Sequence, residues 1–265
     1  MNNDYIPKRN IPLPVQREVR KRCGFGCVIC GNPIYDYDHM KEWANVKEHV
    51  AEDITLLCAD HHREVTGKRL PRELVWQSNK NPFNLQQGHS SPKELFFFGN
   101  QCEVILGSDV FKQTFTQEIE QMIALMIDGI PIISFIYENE HLLLNLILFD
   151  QFNEVILLIE YNQLVYSTKS WDITFKGNKL VFREEHKKVF LEIIFETPNR
   201  VRIEKGRILC NGVQIQIESG VVITGTVHIS IGGRFENNRV GFAIGKDPYG
   251  FGAGRRVVNV NRYTT

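Results

Sequence analysis

The hydrophobic and polar positions of this chain change their period near residue 95. Before that point the apolar residues fall at helical spacing or in very short extended runs. In PVQREVRKR, residues 14–22, Val15 and Val19 stand four apart on one helix face, and Pro14 suits a first turn. Ala59–Thr66 predicts a second helix stopped near Gly67, and Leu70–Ser78 a third starting near Pro71. Tyr35–Met40 and Ile54–Leu57 predict short strands. Residues 79–94, NKNPFNLQQGHSSPKE, are polar with two prolines and a glycine, which is linker composition. From 95 onward the period is two. Candidate strands are Cys102–Leu106, Ile130–Tyr137, Leu142–Phe149, Glu154–Glu160, Gln163–Ser167, Asp172–Phe175, Lys179–Arg183, Val189–Glu196, Arg200–Glu204, Val213–Glu218 and Val221–His228. Turn signals such as Gly177-Asn178 and Asn211-Gly212 separate them. TQEIEQMIALMID, 116–128, predicts a single helix among the strands. The end of the chain, KDPYGFGAGRRVVNVNRYTT, reads as a mobile tail or an added edge segment. The expected class is α+β: a small unit over 1–78, a linker over 79–94, a larger all-β sandwich or barrel-like domain over 95–245, and a tail over 246–265.

Composition narrows the classes. A chain of 265 residues that is 43% hydrophobic and 23% charged can bury at least one real core, which excludes global disorder. No apolar run approaches the ~20 residues of a membrane-spanning helix. The opening MNNDYIPKRNIPLP lacks the apolar stretch of a secretory signal, so a cytoplasmic protein without a membrane partner is expected. Lys+Arg and Asp+Glu both number 31, and zero net charge argues against indiscriminate nucleic-acid binding. The charge is not evenly spread. Residues 1–80 carry a slight basic excess, with Arg17, Arg20, Lys21 and Arg22 before the first cysteine and Arg63, Lys68, Arg69 and Arg72 after a histidine pair.

Candidate chemistry lies in the same part. Four of the six cysteines and four of the eight histidines fall between residues 23 and 62. Cys27-x-x-Cys30 and Cys58-x-x-His61 are two ligand pairs whose spacing lets one turn present both members to one ion, and together they make a Cys₃His structural zinc set. On spacing alone Cys23 can replace Cys27; otherwise it packs as a small apolar residue. Cys102 and Cys210 sit in or beside strand-like segments and read as core thiols.

The run RCGFGCVICG, then YDHM, then DITLLC, then HH resembles the HNH (ββα-metal) endonuclease family in its zinc-stapled form, over about residues 17–75. The resemblance implies that His39 is the general base and that Asp38 and His62 hold a catalytic Mg²⁺ or Mn²⁺. It implies that His61 holds zinc while its neighbour His62 holds the other ion. It also implies DNA as the partner, phosphodiester hydrolysis as the reaction, and a bacterial restriction or antiviral role. The family's middle Asn falls on Asp53 here. Asp accepts a hydrogen bond but, when ionised, cannot donate one, and it adds negative charge near the metal. It can orient His39, join the metal shell, or mark an attenuated enzyme. Arg63, Lys68 and Arg69 are candidate phosphate contacts. His49 is a weaker candidate for substrate or metal, and Trp43 and Tyr37 either stack on a base or pack in the core.

The β-rich part resembles no family. Its strands LLLNLILF and NEVILLIEY are apolar enough for a sandwich core or a covered surface. Three roles fit: targeting, homo-oligomerisation, or docking of a regulatory partner. Two rival readings of the whole chain stay open, a non-catalytic zinc-dependent nucleic-acid-binding module and a scaffold subunit whose nuclease acts only in a partner complex.

Overall fold

The computed structural model describes residues 10–41, 49–223, 225, 228–246 and 252–264. Two compact units divide the chain. The first is residues 1–91 with Trp171–Ile173, and the second is 92–170 with 174–265. Trp43 lies outside the described residues.

The first unit opens with α1 (Leu13–Arg22), which ends on Arg20, Lys21 and Arg22, cations that favour a helix C-terminus. A turn-rich stretch carrying Cys27 and Cys30 follows. β1 (Asp36–His39) then pairs antiparallel with β2 (Ile54–Leu57), with Asp38 opposite Thr55 and His39 opposite Ile54. β2 is buried at every position, so it forms the floor of the unit. α2 (Ala59–Thr66) starts directly from Cys58, and α3 (Arg72–Lys80) from Pro71. Val19, Cys23, Val28, Ile54, Leu56, Leu57, Val65 and Val75 form the core. Arg22 clamps this core to the start of β2, donating to the carbonyls of Ala51 and Ile54 and to Asn79 Oδ1. Within the same unit, Arg20 donates from Nε and Nη2 to the two carboxylate oxygens of Asp172 at 2.8 and 2.7 Å, and both side chains are buried. Such a forked pair is costly to break, because removing one partner strands the other charge.

Residues 79–94, expected as a linker, contain α4 (Phe83–Gln87). Pro82 opens this helix instead of breaking structure. Asn84 is fully buried and donates Nδ2 to the Gly24 carbonyl at 2.9 Å. A Cβ on Gly26 or Gly31 would come within 2.4 Å of the Asn84 amide, so two glycines in the Cys27–Cys30 turn make room for it.

The second unit is built of strands. One sheet holds, in order, β20 (Ala253–Val257), β19 (Val240–Ile244), β6 (Gln121–Ile127), β7 (Ile130–Glu138), β8 (His141–Phe149), β9 (Val155–Glu160), β10 (Gln163–Tyr166) and β3 (Lys93–Glu94). The other runs β11 (Asp172–Lys176, of which Asp172 and Ile173 count with the first unit), β12 (Lys179–Glu185), β13 (Lys188–Glu196), β14 (Arg200–Cys210), β15 (Val213–Ile217), β16 (Val221–Ile223) and β17 (His228–Ser230), and is joined by β4 (Gln101–Leu106), β5 (Asp109–Thr114) and β18 (Arg234–Glu236). β14 is long enough to change partners: Arg200–Ile203 pair with β4 and Gly206–Cys210 with β15. Leu142, Leu144, Leu146 and Leu148 of β8 alternate inward, as do Val213, Ile215 and Ile217 of β15. The period-two reading therefore gives most of this unit. Asn211 and Gly212, at φ 49° and 78°, make the β14–β15 hairpin as the sequence predicts.

One expectation is corrected. The helix predicted over 116–128 is β6, preceded by a Thr116–Ile119 bridge. QMIALMI is buried along almost its whole length, and an apolar run buried on both faces carries no period. Of the two alternatives for the end of the chain, Ala253–Val257 take that of an added edge segment. β20 adds parallel to β19, and Arg262 forks onto Asp128 with both bonds at 2.8 Å. Among the described residues no helix is long and apolar enough to cross a membrane.

Candidate functional site

Two features set the first unit apart chemically, and α2 carries a part of each. The first is a four-membered ligand cluster. The ligand atoms of Cys27, Cys30, Cys58 and His61 all lie within 4.8 Å of one another. Cys27 and Cys30 come from the glycine-flanked turn. Cys58 and His61 come from the first turn of α2, where residues three apart share a face. Cys30 and Cys58 sulfurs are 3.8 Å apart, and His61 Nδ1 lies 3.4 Å from Cys27 Sγ and 3.2 Å from Cys58 Sγ. A tetrahedral ion with Zn–S near 2.3 Å and Zn–N near 2.0 Å needs edges of about 3.8 Å and about 3.5 Å. The cluster can thus hold a metal ion such as zinc with little movement. The hydrogen bond between Cys27 and Cys30 pulls the Cys27 thiol down to about 4 and pushes Cys30 up, so the set already favours one thiolate. Burial raises Cys58.

Cys23 is outside the cluster. It is fully buried, contacts Thr55 and Asn79, and burial raises its thiol, so it packs as an inert core residue. Cys102 and Cys210 are buried core thiols in β4 and β14. Cys210 is pushed up to about 11 by burial.

The second feature is polar and only partly covered. Asp38 and His39 lie at the end of β1, and His62 follows His61 on α2. Consecutive helical residues point about 100° apart, so His62 leaves the cluster and meets Asp38 instead. His62 Nε2 lies 3.5 Å from Asp38 Oδ1. The other oxygen, Oδ2, accepts from Arg72 Nη1 at 2.7 Å, and the same nitrogen reaches the His39 carbonyl at 3.1 Å. Asp38 is buried, and its two oxygens are divided between two elements. His39 is half-buried, and its Nε2 lies 3.3 Å from His49 Nδ1. Burial and the neighbouring His49 lower the His39 imidazole, against an opposing pull from Asp38, so the ring is held toward its neutral form.

Asp53 is placed beside these residues by the backbone, since the Met40 N–H donates to the Asp53 carbonyl at 2.8 Å. Its carboxylate accepts from Lys41 Nζ at 2.8 Å. Of the candidate phosphate contacts, Arg63 is exposed and loosely near Asp60 at 4.0 Å. Arg69 is forked onto Glu64 at 2.8 and 3.0 Å. Lys68 is exposed at a left-handed backbone position, φ 58°. Tyr37 accepts a hydrogen bond from Arg20 and so is a packing residue of the unit. Lys41 and Arg72 carry no local signal of these roles, because their carboxylate partners stand 12 and 34 residues away. The basic residue types were visible; the pairings were not. No family model, curated protein or solved structure matches the chain.

Proposed function

We propose that the first unit is a metal-dependent endonuclease of the HNH type, hydrolysing phosphodiester bonds with DNA as the first substrate to test. The single observation that carries this reading is the junction of Asp38, His39 and His62 beside a metal-ligand cluster on the same short helix. In this reading zinc sits in the Cys27, Cys30, Cys58 and His61 set as a closed structural ion. Asp38 offers a hard oxygen and His62 an imidazole, a donor pair that suits Mg²⁺ or Mn²⁺. When bound, that ion would polarise the scissile phosphate and stabilise the leaving 3′-oxygen. The chain's own residues do the rest. His39, held toward neutrality by burial, takes the proton from the water that attacks phosphorus. Arg72 holds Asp38 Oδ2 and leaves Oδ1 facing His62, which makes it a positioning residue for the ligand pair. Lys41 neutralises Asp53, removing the extra negative charge that an Asp brings to the family's Asn position. Arg63 and Lys68 are the cations left to meet a phosphate backbone, and the β unit serves targeting, assembly or regulation.

One observation favours a second reading, a zinc-dependent nucleic-acid-binding module without catalysis. Arg72 already satisfies Asp38, and Lys41 already satisfies Asp53, so the polar residues are paired without a second cation. Plasmid cleavage with Mg²⁺ or Mn²⁺, native chain against His39→Ala, separates the two. Cleavage by the native chain alone supports the nuclease. Equal nicking by both rejects His39 as the base. No cleavage by either, with both retarding DNA in a gel, supports the binding module.

A further inference from the structure

The second unit carries a cleft that the nuclease reading does not use. It has a volume of about 280 Å³ and lies where β12, β13, β14 and β15 run side by side. Arg207 lines it, with Lys187, Lys188 and Lys205 and the carboxylates of Glu184 and Glu218. The guanidinium is half-buried, pairs with Glu184, and lies 5.4 Å from the Phe190 ring centre. Its Nε is buried and makes no hydrogen bond among the described residues.

The local backbone is irregular at the residues that hold Arg207. In the β12–β13 ladder Phe182 pairs with Leu191, Arg183 with Val189 and Glu185 with Lys188, so Phe190 and Glu184 are both bulged out of register. In the β13–β14 ladder Glu192 faces Lys205 while Ile193 faces Ile203, which leaves Glu204 unpaired. Gly206 follows at φ 128°, where a Cβ would come 2.4 Å from the Phe190 carbonyl. Bulges re-aim side chains, and here they turn a carboxylate and a ring onto one guanidinium.

Two further cations stand at the rim. Lys205 is exposed beside the β14 bulge. Lys187 turns the β12–β13 hairpin at φ 61°, a conformation that favours Gly or Asn. Neither has a side-chain partner among the described residues. Two ammonium groups without side-chain partners and a partly exposed guanidinium thus line one cleft, a set of donors that suits an anion. Gln216, opposite Arg207 across β15, adds a neutral amide to the same face.

We propose that this cleft binds a phosphate ester: Arg207, Lys205 and Lys187 take the phosphate oxygens, and the Gln216 amide meets the substituent. The inference is independent of the chemistry proposed for the first unit. Its ligand is either a free nucleotide or one phosphate of a nucleic-acid strand. Fluorescence anisotropy of the full chain with fluorescein-labelled adenosine monophosphate tests it, with unlabelled adenosine monophosphate, inorganic phosphate and oligodeoxythymidylate as competitors. The native chain should bind saturably and release the tracer to unlabelled nucleotide. Lys187→Glu/Lys205→Glu, a change at exposed positions, should weaken binding about tenfold or more with an unchanged melting temperature. Lys187→Gly suits the turn and should weaken binding without loss of stability, whereas a merely structural lysine would leave binding untouched. Displacement by the oligonucleotide at lower phosphate concentration assigns the site to a strand, and displacement by the small anions alone assigns it to a free nucleotide. No saturable binding, or equal binding by the native chain and both variants, overturns the proposal.

Discussion

Replacing Cys58 by serine should remove the metal from the first unit and unfold it while leaving the second unit folded. Four-ligand structural zinc sites contribute roughly 10–16 kcal/mol to small folded modules. Split evenly, each ligand accounts for roughly 2.5–4 kcal/mol, or about two to three decades of metal affinity. The core that must survive without the ion is small: Val19, Val28, Ile54, Leu56, Leu57, Val65 and Val75 carry most of it. Cores of that scale supply roughly 3–5 kcal/mol, so losing one ligand cancels most of the unit's stability. Cys58 also stands at the first turn of α2, so its loss loosens the helix that bears both histidines. Metal content by a colorimetric chelator, read beside far-ultraviolet circular dichroism during heating, is the assay. The native chain should hold an equimolar amount of zinc, and Cys58→Ser should show an early partial loss of structure followed by the unchanged melting of the β unit. A Cys58→Ser chain that keeps equimolar zinc and melts like the native one refutes the reasoning.

His39→Ala should slow DNA cleavage by about 10²–10⁴-fold with zinc content unchanged, measured on supercoiled plasmid. The pH profile should carry a displaced acid limb. Because burial lowers His39, protonation sets in below the ordinary imidazole value of about 6.5; cleavage should hold as pH falls through that value and drop only beneath it. A half-maximal rate above that value contradicts the assignment. Arg72→Ala should lower cleavage while Arg72→Lys restores part of it, with the loss showing as a higher requirement for Mg²⁺; an unchanged metal requirement would place Arg72 outside the ligand pair. Asp172→Ala strands the buried Arg20 charge and should destabilise the first unit by roughly 3–5 kcal/mol in a denaturant titration, far more than Asp172→Asn.

The parts legible in the sequence were those encoded locally. Cys27-x-x-Cys30 and Cys58-x-x-His61 meet within one cluster because each pair fits a single turn. β8 and β15 were legible because buried and less buried positions alternate along them. β6 was illegible for the converse reason: with both faces buried, QMIALMI has no period to read. α4 was hidden because its justification is Asn84, whose partner carbonyl at Gly24 lies 60 residues away. The polar site was half legible. Asp38, His39 and His62 could be named only through the resemblance to the HNH pattern, and Lys41 on Asp53 and Arg72 on Asp38 are tertiary facts. The cleft around Arg207 depends on strand bulges, which leave no mark on composition or period.

His61 and His62 share one peptide bond, and that has a practical consequence for anyone handling this protein. On the proposed assignment of two ions, a chelating buffer would remove both, and its effects would arrive in sequence. A weakly held Mg²⁺ at Asp38 and His62 would leave first and return on simple readdition. Stripping the cysteine cluster would instead unseat the backbone that carries His62, and readdition of Mg²⁺ alone would not restore it. On that assignment, a preparation stored in EDTA would read as inactive in the cleavage assay because its first unit is partly unfolded. Reconstitution should start with zinc and reductant, and only then with the second ion.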